Sequence, residues 1–138
     1  MKKNVLVGKT LTGMKLAEDR QAILFQTTDG DVVVQVDADC CSYTWVEHVE
    51  LPALGFPAVV TEVEDLEMPD GKPSAFHTDP DCLAFYGCKI STDRGEIVID
   101  YRNDSNGYYG GSLSWPGDHH YGGVYGQNVS KQEWRDIP

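Results

Sequence analysis

What the chain lacks narrows its function more than any motif it carries. Lysine and arginine number 11 against 22 acids, for a net charge of −11. A surface of that sign repels phosphate backbones and anionic headgroups, so direct DNA binding is not expected. Between Arg20 and Lys72 there is no lysine or arginine at all, yet acids recur from Asp29 through Glu62, Glu64, Asp65 and Glu67 to Asp70. No run approaches the roughly 18 apolar residues that span a bilayer, so no membrane partner is expected. Only Val5, Leu6 and Val7 precede Gly8 and Lys9, too short for the apolar core of an export signal. Without export, the four cysteines read as reduced thiols.

Motifs of catalysis and cofactor binding are missing too. Gly8-Lys9-Thr10 looks like the end of a phosphate loop, but Lys3 stands where that loop needs its first glycine. Cys40, Cys41, His48, His77, Cys82, Cys88, His119 and His120 are the zinc-type ligands available. Adjacent cysteines on a strand face opposite sides, and no C-x-x-C pair exists to seed a tetrahedral site. Cys41 and His48 are too far apart in sequence for their spacing to join a thiolate to a base. No catalytic residue, metal or cofactor is assigned. Asp39-Cys40-Cys41 reads first as a packed strand-to-helix junction, second as a metal site and last as a nucleophile.

What is present points to a sheet. A chain of 138 residues suits one domain with a real core. The runs 10–18, 21–28 and 32–36 form a three-strand meander, with Asp29-Gly30 as a two-residue turn. Val32, Val34 and Val36 share one face of the third strand. From Ser42 the period changes: Tyr43 and Val46 are three apart, and Trp45 and Val49 four apart, predicting a short helix capped by Ser42 and ended by Pro52. A strand over 57–65 places Val59 and Val63 inward and Glu62 and Glu64 outward. Residues 66–81 form a loop. Strands follow at Cys82–Thr92 and Glu96–Asn103, and Asn106-Gly107 turns the chain into a terminal hairpin over Tyr108–Trp115. A final turn is expected at Ser130–Asp136. The fold class is α+β, a bent antiparallel sheet of six or seven strands with one short helix. Residues 1–115 make the domain, and 116–138 make a Gly/Tyr-rich extension packing on or extending from it.

The binding residues expected from this pattern are Tyr108, Tyr109, Trp115, Glu62 and Glu64. Tyrosine and tryptophan supply large contact area at low entropic cost, and six of the seven tyrosines lie between Tyr86 and Tyr125. The two glutamates belong to the acidic stretch, which suits a basic protein surface.

Several segments in order carry a resemblance: Asp39-Cys40-Cys41, Trp45-Val46-Glu47, Leu54-Gly55-Phe56-Pro57, Phe85-Tyr86, Thr92-Asp93-Arg94-Gly95 and Ser105-Asn106-Gly107-Tyr108-Tyr109. Over about residues 5–115 the chain resembles a family of small bacteriophage proteins classed as a domain of unknown function. The resemblance implies a phage-encoded protein acting in the bacterial host cytoplasm and carries over no catalytic residue. The function expected is a non-enzymatic accessory protein that binds a host or phage macromolecule, with blunting of a bacterial defence as one role and homo-oligomerisation allowed. The alternatives are a binder of a small nucleotide signal, drawing on Lys89, Arg94 or Arg102, and a minor virion component.

Overall fold

The computed structural model describes residues 5–38, 42–67, 82–105, 110–116 and 133–138. Alternation builds its first strands: β1 (Thr10–Ala17), β2 (Ala22–Thr27) and β3 (Gly30–Ala38). In β3, Val34 and Val36 are buried and Val32 packs against the same core, as a period of two requires. The β2–β3 turn is Thr28-Asp29, one residue earlier than expected, with Thr27 paired to Gly30. Thr27 Oγ1 donates to the Gly30 carbonyl at 2.6 Å and accepts from the Asp29 N–H at 3.0 Å, which locks the turn. The same Thr-x-x-Gly device closes a later hairpin, where Thr92 Oγ1 donates to Gly95 O at 2.6 Å. Both glycines sit at positive φ, a conformation that other residues adopt only with strain.

The remaining strands are β4 (Tyr43–Glu50), β5 (Ala58–Glu67), β6 (Cys82–Thr92), β7 (Gly95–Ser105), β8 (Gly111–Ser114) and β9 (Trp134–Asp136). Among the described residues the strands form a nine-stranded antiparallel sheet in the order β4-β7-β6-β5-β1-β2-β3-β8, with β9 pairing β1 at Lys15–Ala17. Among the described residues there is no α-helix, so the α+β class and the count of six or seven strands are both corrected. The expected turn at Ser130–Asp136 is corrected as well, since Trp134–Asp136 is strand.

The predicted helix is strand β4, and a β-bulge explains the misreading. Between Val46 and His48 the register against β7 slips, so Val46 and Val49 both reach the core although three residues apart. That spacing imitates one face of a helix. The density of aromatic and β-branched residues in Tyr43–Val49 favours a strand, and a neighbouring strand was available to pair with it. A bulge between Val60 and Glu62 does the same to β5: Val60 is buried beside Val63, and Val59, expected inward, is 37% exposed.

The terminal hairpin is also corrected. β7 pairs with β4 on one edge and β6 on the other, as far as Asp104 against Tyr43 and Leu83. With both edges taken, β8 cannot fold back on β7; it pairs with β3 instead, Leu113 opposite Val36. Residues 106–109 lie outside the described residues.

The sheet curls until its end strands β4 and β8 approach each other. A Cβ at position 111 would collide with the Thr44 side chain and stand 3.2 Å from the Asp37 carbonyl, so this close approach requires glycine. The β1–β2 turn covers the outer edge of β4. Val46 N donates to Arg20 O at 2.8 Å, Arg20 Nε donates to Val46 O and Arg20 Nη2 to Glu47 O, both at 2.6 Å. An edge strand with unpaired carbonyls invites association, and the guanidinium fork removes that liability. Arg20 holds a φ of 61°, strained for a side chain of its size, which the clamp offsets.

Arg20→Ala is therefore expected to destabilise by about 2–4 kcal/mol, the worth of two charge-assisted hydrogen bonds at a half-buried site. Arg20→Lys should recover less than half of that, because one ammonium cannot serve both carbonyls in a fork. Urea unfolding measures both. A loss below about 0.5 kcal/mol for the alanine variant would show that water replaces the clamp without cost.

Candidate functional site

Strand β5 carries four acids in its second half, and the pleat distributes them to both faces. Glu62 and Glu64 project on one side; Val63, Asp65 and Glu67 share the other. Glu62, Asp65 and Glu67 are exposed. The register sets Glu64 opposite Lys89, and the two meet at 2.8 Å, with Glu96 3.8 Å from the same ammonium. The hydrogen bond that Lys89 donates to Glu64 raises the lysine pKa, and the charges of Glu64 and Glu96 add to it. One lysine thus answers two acids, and Glu62 has no ion-pair partner among the described residues. The result is an exposed strand with a surplus of negative charge.

Inside the sheet, β7 grades from apolar to polar along one face: Ile97, Ile99, Tyr101, Asn103 and Ser105 are all buried. Tyr86 on β6 stacks on Tyr101, with centroids 5.3 Å apart and an interplanar angle of 14°. Burial pushes the Tyr101 phenol well above its usual pKa, and the nearby Asp65 charge adds to the effect. It is a neutral phenol at physiological pH.

Beyond it, Thr44 Oγ1 donates to the Asp37 carbonyl at 3.1 Å, so its lone pairs accept from Asn103 Nδ2 at 2.9 Å. Asn103 Nδ2 also reaches Ser42 Oγ at 3.0 Å. This orients the amide and leaves Asn103 Oδ1 buried with no hydrogen-bond partner among the described residues. Ala38 and Ser42, which flank Asp39-Cys40-Cys41, and Ser105 and Gly110, which flank Asn106–Tyr109, belong to this polar end of the sheet. Gly110 brings its backbone close to the Tyr86 hydroxyl, and Gly111 N donates to that oxygen at 3.4 Å.

The opposite face of β4 and β7 holds a buried charged cluster. Arg102 Nη2 meets Asp100 Oδ2 at 3.2 Å and its Nη1 lies 3.9 Å from Glu47 Oε1. Trp45 Nε1 donates to Glu47 Oε1 at 3.0 Å, and the guanidinium lies 4.8 Å above the Phe85 ring. A guanidinium satisfied by two carboxylates and an aromatic face is held for structure.

Of the residues expected to bind a partner, Glu62 and Glu64 lie together on one face of β5. Trp115 is 5% exposed and stacks on Phe25 with centroids 5.9 Å apart, so it fills the core rather than offering a surface. Tyr108 and Tyr109 lie outside the described residues, as do Asp39, Cys40 and Cys41. Cys88 is a buried thiol outside any disulfide. Among the described residues no group of three or more His, Cys, Asp and Glu is placed to hold a metal ion. The three cations considered for a nucleotide are not brought together. Lys89 pairs with acids on the sheet, Arg102 is buried in its cluster, and Arg94 sits in the β6–β7 turn donating to Leu54 O at 2.9 Å.

Sequence reasoning missed the Tyr86–Tyr101 stack, the Asn103 amide and the Arg102 cluster. The first was within reach: once Asp93-Arg94 is the turn, counting back from Thr92 opposite Gly95 places Tyr86 opposite Tyr101. The Asn103 amide and the Arg102 cluster depend on β4 being a strand, which the bulge concealed. Residues 4–115 match the model of the family described as Domain of unknown function (DUF7448). No curated protein and no solved structure matches the chain.

Proposed function

We propose that this chain, which belongs to the DUF7448 family, is a non-enzymatic accessory protein that binds a basic host or phage protein through the acidic face of β5. The observation that carries this reading is the charge imbalance there: Glu62 is exposed, and the nearest cation, Lys89, is engaged by Glu64 and Glu96. Fixed charge of one sign on a rigid strand steers an oppositely charged partner and repels wrong ones. The resemblance of its ordered motifs to small bacteriophage proteins supports a phage-encoded role in the host cytoplasm, where interference with a bacterial defence would fit a small acidic binder.

Capture from bacterial lysate on immobilised protein tests the proposal. Wild type is expected to retain a discrete basic protein that Glu62→Lys/Glu64→Lys releases, with affinity lowered about tenfold or more. The same variant should lose less than about 1 kcal/mol of stability, because its second substitution sets a like charge opposite Lys89. Retention of the same protein by both chains would place the interface elsewhere.

A further inference from the structure

Among the described residues, strand β5 is served by a neighbouring strand on one edge only for most of its length. Against β1 it pairs at Ala58 and Val59, after which β9 takes over the edge of β1 at Lys15–Ala17. Beyond Val60, no strand among the described residues pairs with the edge of β5 that faces away from β6. The hydrogen bonds fix the main-chain directions. Val60 bonds Lys9 O and Gly8 N on the β1 side, so its pair with Thr92 is a non-hydrogen-bonded one, and the next pair past the bulge, Glu62 with Ser91, turns to β6. The Glu62–Ser91 and Glu64–Lys89 pairs are therefore the hydrogen-bonded ones, and the alternation of an antiparallel ladder turns the N–H and C=O of Val63 and Glu67 to the second edge.

Such an edge is a template for an added strand. We infer that the partner docks by β-strand addition: an extended basic segment lies along Val63–Glu67, with alternate lysines or arginines beside Glu62 and Glu64. The inference rests on the basic-partner reading above and adds the mode of binding. Charge selects the occupant. A second copy of β5 would set acid against acid across the new ladder and is disfavoured, while lysine or arginine at every second position meets the carboxylates in register. The acids thus guard the edge against self-association and admit a basic strand.

The probes are a synthetic peptide of about ten residues alternating lysine and threonine, the length of a long strand, its version N-methylated at alternate residues, and its glutamate-for-lysine version. The lysine peptide is expected to bind at low salt and to slow amide exchange at Val63 and Glu67. N-methylation should weaken it by roughly tenfold, through loss of one or two main-chain hydrogen bonds with charge unchanged. The glutamate peptide should not bind. Equal binding by the parent and N-methylated peptides, without protection at Val63 and Glu67, would overturn strand addition and leave the basic-partner reading standing on charge alone. No binding by the lysine peptide would also overturn strand addition, and lysate capture would then decide the broader reading by itself.

Discussion

Arg102→Ala is expected to destabilise the protein by about 3–5 kcal/mol, the typical loss when one member of a buried ion pair is removed. The side chains of Arg102 and Glu47 are 5% and 9% exposed, and the carboxylate accepts from Trp45 Nε1 while facing the guanidinium. Without Arg102, Glu47 would keep its charge in a poorly hydrated site or take up a proton, and either course costs free energy. Asp100 would lose its partner, and the Phe85 ring its cation. Arg102→Lys should fall between wild type and alanine, since it keeps the charge but loses the planar fork and the stacking. Chemical denaturation measures the series. A loss under about 1 kcal/mol for the alanine variant would place the cluster among solvated surface pairs.

Trp115→Ala should be comparably severe, about 3–5 kcal/mol, because a large ring leaves a cavity that β3 and β8 cannot collapse to fill. The ring stacks on Phe25, itself fully buried in the core. Trp115→Phe should keep most of the stability. At temperatures where both variants remain folded, affinity for a partner should match wild type, since the residue presents almost no surface. A weakened affinity in a fully folded Trp115→Phe variant would restore Trp115 to the interface.

What could be read from the sequence was whatever strict alternation governs. The β1–β2–β3 meander and the inward row of β3 followed from Ile23 to Phe25 and from Val32 to Val36. The paired outward carboxylates of β5 also followed, since Glu62 and Glu64 both lie beyond the bulge. Alternation failed at the bulges, where one inserted residue reverses the faces of everything after it. Val46 and Val49 then mimic a helix, and Val60 takes the place expected of Val59. The partner of β8 was illegible for another reason. Asn106-Gly107 is a strong local turn signal, but whether the chain returns to β7 depends on whether β7 has an edge left, and β4 has taken it. At the site, single acids were visible and their pairing was not. Lys89 meets Glu64 only through the β5–β6 register.

The most direct measure of the central claim is the association rate constant with the captured partner across ionic strength, for wild type and for Glu62→Lys/Glu64→Lys. Steering by the β5 acids predicts a wild-type rate that falls steeply between about 10 mM and 150 mM salt, as the screening length shrinks from about 30 Å to 8 Å. It also predicts a variant that associates more slowly at low salt and converges on wild type at high salt. Rates insensitive to salt, and identical for the two proteins, would contradict it.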